Sequence, residues 1–232
     1  AAKQVSMSGA SRNTAGHAKP IISSQHPAGS QAATLRLEGK RIVMRPLVLD
    51  DHAAWSEVRL RNGEWLSIWE PKRSEYIADP ATDHQAFERR CAARDRERLA
   101  GTSYALGLFI ENSFAGEVNL NNVVRGAMQT GTVGYWIDRK HAGNGYVAEG
   151  VATLSQFAFE ELKLHRIEVC IIPRNMNSKK VMEKLKFRLE GLAERFLEIN
   201  GVWEDHLRYG FTIEEWQDRK AAITQQWLVA KT

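Results

Sequence analysis

The sequence predicts one mixed α/β (α+β) domain, a sheet of about seven strands flanked by helices. Three observations carry this. Seven segments are short, apolar and bounded by turn residues or proline. Helical spacing recurs between them, most clearly in Tyr146–Leu162, where Val147, Val151, Leu154, Ala158 and Leu162 fall three or four apart. Asn200-Gly201 then separates two strand-like runs, a strong hairpin signal.

Order is expected from Leu35. Arg41–Arg45 alternates and Pro46 stops it; Asp50 is then placed to cap a helix carrying Ala54, Trp55 and Val58. A second helical stretch, Glu64–Trp69, ends at Glu70-Pro71, because the residue before proline avoids the α region. Thr82 or Asp83 caps a long charged helix, Gln85–Leu99, with Phe87, Cys91 and Leu99 on its apolar side. Tyr104–Ile110 and Phe114–Asn119 flank the turn Glu111-Asn112-Ser113, and Thr132–Asp138 is a third strand of that group. After the helix from Tyr146 come the strand Arg166–Ile172, ended by Pro173, and a short helix Ser178–Lys186 capped by Ser178. Leu192–Ile199, Trp203–Thr212 and a helix of about Glu214–Leu228 complete the order.

Composition narrows the function. Of 232 residues, 43% are hydrophobic and 26% charged, as in globular chains. Residues 1–34 hold Lys3, Arg12 and Lys19, no acid and few large apolar side chains, so they are expected to be a flexible N-terminal tail ahead of a domain over 35–232. Removing those three from the 32 basic residues leaves the body, with its 28 acids, within one charge of neutrality. Such a body argues against a sequence-specific nucleic-acid groove. Two cysteines form no disulfide framework, and no apolar run is long enough for a membrane span or a signal peptide. A cytoplasmic location is expected.

Chemistry concentrates between 133 and 148. A strand, a loop with Gly143 and Gly145, and a helix without a side-chain cap follow one another. Glycine permits positive φ and close approach of backbone to a ligand, and the first N–H groups of the helix favour an anion. A tight turn alone accounts for many such glycines. About thirty residues on, Asn175, Asn177 and Ser178 open a second helix after a second strand. Two such junctions on adjacent strands point to one phosphate-bearing ligand.

Gly143-Asn-Gly-Tyr146, Asn175-x-x-Ser178, Val181 and Lys184-Leu-x-Phe187 together resemble the GNAT superfamily of acetyl-CoA-dependent N-acetyltransferases. Arg61-Asn62 with Trp69-Glu-Pro71, Asn122-Val-Val-Arg-Gly126, Gly134-Tyr135 and Asn200-Gly-x-Trp-x-Asp-His206 resemble its RimJ/RimL branch, the ribosomal-protein-alanine N-acetyltransferases, and RimJ more than RimL. The resemblance implies the GNAT fold, with the fourth and fifth strands splayed. It implies acetyl-CoA as co-substrate, no metal, and transfer of acetyl by direct attack of an α-amine, of alanine or a small residue, on the thioester. It implies cofactor contacts from Trp136, Ile137, His141, Ala142, Gly143, Asn144, Gly145, Tyr146, Val147, Asn175, Asn177 and Ser178. Ala142 departs from the usual Arg or Gln, Val147 from a small residue and Lys186 from a common Gly. Ser178 resembles the position that donates a proton to the leaving thiolate.

Glu117 and Glu198 are the strand carboxylates placed to act as base, although each is more often a solvated strand residue. Trp69, Asn121, Tyr135 and His206 are the expected substrate contacts; Trp65, Tyr76, Arg59, Arg61 and Arg73 lie where the family's first helices form the acceptor wall. His206 and Asp205 are neighbours on a strand, so only one points inward. His165 reads as a strand-edge residue, Cys170 as packing and Glu88–Arg98 as a solvated face. The expected acceptor is a protein N-terminus, of a ribosomal protein, with weak salt-sensitive ribosome association through the basic segment and no membrane partner. Two other readings fit the same residues. One is acetylation of a polyamine or aminoglycoside, with Glu64, Glu70, Glu75 and Asp79 lining the cleft; the other is a non-catalytic CoA-binding or ribosome-associated module.

Overall fold

The computed structural model describes residues 35–229; the expected tail over 1–34 lies outside them. In chain order the elements are β1 (Leu37–Glu38), β2 (Ile42–Arg45), α1 (His52–Arg61), α2 (Gly63–Ser67), α3 (His84–Ala100), β3 (Tyr104–Ile110), β4 (Ser113–Val124) and β5 (Thr130–Ile137). Then follow α4 (Tyr146–Gln156), β6 (Arg166–Ile171), α5 (Met176–Leu185), β7 (Arg188–Ile199), β8 (Val202–Thr212) and α6 (Ile213–Trp227). They build an eight-stranded sheet in the order β1-β2-β3-β4-β5-β6-β8-β7. Every neighbouring pair is antiparallel except β5–β6.

The eighth strand is β1, whose two residues pair with Val43 and Met44 and are too few to show any alternation. The splayed pair is therefore the fifth and sixth strand rather than the fourth and fifth. α4 lies on the sheet with Val151 and Leu154 fully buried, each contributing about 1.5–3 kcal/mol of transfer free energy. Its last turn, Phe157–Glu161, widens to a π-helix, so that the Leu162 N–H donates to the Phe157 carbonyl at 3.0 Å. A second cluster packs Trp55, Val58, Phe87, Phe109 and Phe114 between α1, α3 and the other half of the sheet.

Local details correct several sequence expectations. Asp50 does not cap α1: a 3-10 turn, Leu49–Asp51, precedes the helix, and the neighbouring Asp51 carboxylate accepts from Arg45 at 2.7 and 2.8 Å and from the Val48 N–H at 2.8 Å. Ala54 faces solvent. Asp83 is the cap of α3, accepting from the Ala86 N–H at 2.9 Å, but Leu99 is 68% exposed because the helix runs past the edge of the core. α5 begins at Met176 and its cap is Asn175 rather than Ser178, the Asn175 Oδ1 accepting from the Ser178 N–H at 3.1 Å.

Candidate active site

The parallel pairing of β5 with β6 is confined to Thr130–Arg166, Gly131–Ile167 and Thr132–Glu168. Beyond it β5 stays with β4 as far as Ile137, while β6 stays with β8 as far as Ile171. The two strands therefore diverge, and residues 133–137 have no partner strand on that side. Tyr135 reaches across the gap, its hydroxyl donating to the Ser178 carbonyl at 3.4 Å. Burial pushes its phenol far above the usual value, so it stays protonated.

At the open end the chain enters the glycine loop. Gly143 and Gly145 sit at φ +83° and +85°, where a Cβ is strained. Gly145 is the N-cap of α4 and supplies no side-chain acceptor, so the N–H groups that open the helix are left for an external anion. The loop is fixed from the α1 side. The buried Asn62 side chain donates to Asp138 Oδ1 at 3.0 Å and accepts from the Arg139 N–H at 3.1 Å, and Arg61 pairs with Asp138 Oδ2. Burial raises the Asp138 carboxyl, but the Arg61 and Asn62 hydrogen bonds outweigh it and hold the pKa below 3.8. Arg61 thus supports the loop and does not line an acceptor wall.

A cavity of about 430 Å³ fills the splay. Trp136, Ile137, His141, Ala142, Gly143, Gly145, Tyr146 and Val147 line one side, and Asn175, Asn177 and Ser178 the other. Tyr135 and Trp69 also line it. Asn144 does not: its amide turns back to the His141 and Ala142 carbonyls at 3.2 and 3.3 Å. Lys180 and Lys184 of α5, one turn apart and following Asn177, also line the cavity; the sequence marked Lys184 only as part of the Lys184-Leu-x-Phe187 motif and did not mark Lys180.

The expected catalytic carboxylates and two substrate contacts do not meet there. Glu117 is 2% exposed and accepts from Trp55 Nε1 at 2.6 Å, from Arg90 at 2.7 and 2.9 Å and from Asn119 Nδ2 at 3.3 Å. These bonds anchor the carboxylate between sheet and helices, on the wall of a second cavity beside α1. Glu198 is exposed on β7 opposite Trp203, outside the lining. Asn121 pairs with Thr132 at the closed end of the splay and accepts from Ser103 Oγ at 3.1 Å. His206 is buried against Phe196, with Nδ1 2.9 Å from the Glu204 carbonyl, and does not line the cavity. Tyr76 is 98% exposed and forms no wall.

A second cavity of about 710 Å³ lies beside α1 and α2 and shares Glu70 and Trp136 with the first. Arg59 holds Glu70 through two bonds of 2.8 and 2.7 Å and lies over the Trp136 ring at 4.9 Å. Arg73 pairs with Asp79. Elsewhere, Cys170 is half-buried with its thiol pushed up by burial, as packing requires. His165 meets Glu214 at 3.0 Å on the exposed sheet end.

His141 gives the cavity a pH-dependent charge. Burial and then Lys140 lower its pKa below the ordinary 6.5, so it is neutral at neutral pH. An anion bound beside it favours the protonated ring. Affinity for a phosphate-bearing ligand should therefore rise severalfold as pH falls from about 7 to about 5.5. Titration calorimetry at several pH values checks this, and H141Q should flatten the profile.

Among the described residues no group of three or more His, Cys, Asp or Glu is arranged to hold a metal ion, and no helix is long and apolar enough to cross a membrane. A family model described as an acetyltransferase (GNAT) domain matches residues 41–188. The chain is 37% identical to YjcK, a probable N-acetyltransferase of Bacillus subtilis (strain 168), over 73% of this chain and 93% of that one. It is 29% identical to the ribosomal protein uS5-alanine N-acetyltransferase of Escherichia coli (strain K12), over 81% and 95% of the two chains. The structure of Mycobacterium smegmatis RimJ in complex with CoA-disulfide superposes with a TM-score of 0.76 at 28% identity, covering 86% of this chain and 99% of that one.

Proposed function

This chain belongs to the GNAT acetyltransferase family, and we propose that it transfers acetyl from acetyl-CoA to the α-amino group of a protein N-terminus. The proposed acceptor begins with alanine or another small residue and belongs to a cytoplasmic ribosomal protein, the class named for the E. coli relative. The observation that carries the reading is the splay of β5 from β6 with the uncapped start of α4 at its open end. Residues 133–137 offer backbone groups to the amides of a pantetheine arm, and the N–H groups of 146–148 face a pyrophosphate.

The donor supplies the thioester carbon that the amine attacks, and it departs as a thiolate. Ser178, in the lining of the splay, is the proposed proton source for that sulfur. An α-amine of pKa about 7.7–8.0 has a useful neutral fraction at neutral pH, so a strong base is not required. The second cavity is the proposed acceptor side. Of its four acids, Glu70, Asp79 and Glu117 are already paired with Arg59, Arg73 and Arg90, which leaves Glu64 to meet a polycationic acceptor.

Steady-state turnover of acetyl-CoA with an alanine-initiated peptide tests this. S178A should lower kcat at least about tenfold, the loss of one proton-transfer contribution, with CoA affinity within threefold. Unchanged kcat removes the proton-donor role. Turnover on spermidine but not on the peptide moves the acceptor to small amines.

A further inference from the structure

The start of α4 carries an acid where an anion is to bind. Glu149, in the first turn of the helix, is 1% exposed. A carboxylate there occupies the positive end of the helix dipole and repels a second anion. Its partner, Arg41, comes from the bend just before β2, 108 residues earlier. The Arg41 Nε donates to Glu149 Oε2 at 2.8 Å and the Arg41 backbone N–H to Oε1 at 2.5 Å. The same guanidinium donates to the Asn144 carbonyl at 3.1 Å and stacks over the Tyr146 ring at 4.6 Å. One side chain therefore spans the glycine loop, tying the carbonyl between the two glycines to the helix that follows. The arginine side chain is 45% exposed.

Resting on the cofactor reading above, we propose that Arg41 is a positioning residue for pyrophosphate binding. It neutralises Glu149 and holds the Asn144 carbonyl back, so that the loop and helix N–H groups meet the anion without a competing negative charge. Ala142 adds no cationic side chain between His141 and Gly143, whereas Arg41 reaches that stretch of the loop from the bend before β2.

The test is calorimetric binding of CoA to the full chain, wild type and variants, at low and high salt, with thermal melts confirming that each is folded. R41Q should bind CoA at least about tenfold more weakly at low salt, the scale of one charged hydrogen bond. The deficit should shrink at high salt, since it arises from charge, whereas a merely distorted loop would lose affinity equally at both. R41Q/E149Q should recover most of the lost affinity. R41Q binding as wild type, or a folded double variant binding no better than R41Q, overturns the proposal. Should R41Q not fold, E149Q alone decides: CoA binding should tighten, and unchanged or weaker binding overturns it. A wild-type chain that binds no CoA removes the underlying cofactor reading itself, and the proposal with it.

Discussion

Replacing Gly145 by valine is expected to lower CoA affinity about 100-fold, the equivalent of one to two charge-assisted hydrogen bonds. The residue sits at φ +85° as the cap of α4. An L-residue there costs about 1–2 kcal/mol, and a β-branched one more. Space for the Cβ itself is adequate: the nearest atoms are Arg41 Nη2 at 3.5 Å and the Trp227 ring at 3.6 Å. The penalty is conformational, and the chain escapes it by rotating φ negative. That rotation turns the first N–H groups of α4 away from the cavity, which is why affinity falls far more than stability. Calorimetric titration with CoA, paired with a thermal melt, separates the two. Binding within threefold of wild type would place the phosphate site elsewhere.

The second large effect concerns stability. Arg90→Ala should cost about 3 kcal/mol, because it strands a buried carboxylate whose partner is removed. Glu117 is 2% exposed and Arg90 is held against it at 2.7 Å, its own side chain 20% exposed. Glu117→Gln should cost less, about 1 kcal/mol, since the amide oxygen still accepts from Trp55 while the charge to be compensated is gone. Urea unfolding at neutral pH measures both. An Arg90→Ala loss below that of Glu117→Gln would contradict the anchoring role and reopen the carboxylate as a catalytic group.

These two sites mark the limits of what the chain disclosed before folding. The glycine loop was legible because its chemistry is local: two glycines, a preceding strand and a following helix lie within sixteen residues of sequence. Asn175 and Ser178 were legible for the same reason, although the cap and the capped positions were exchanged. Alternation along β4 showed that Glu117 faces one side of the sheet, but not that Trp55 and Arg90 arrive there from α1 and α3. His206 failed likewise, since the strand pattern left open whether it or Asp205 turns inward, and Phe196 of the neighbouring strand takes its ring. Arg61-Asn62 stood out as a motif, yet only folding shows that both hold Asp138, 77 and 76 residues on. Strand β1 escaped because two residues carry no period. Contacts across long separations were thus the common loss, and local backbone chemistry the common gain.

The most direct measurement of the central reading is intact-mass analysis of a peptide pair after incubation with the chain and acetyl-CoA. The two peptides share an alanine-initiated sequence and differ only in whether the N-terminus is free or blocked. The account predicts a gain of one acetyl group on the free peptide and none on the blocked one. Equal modification of both would place the acetyl on a side chain, and modification of neither, with CoA bound, would contradict α-amino transfer.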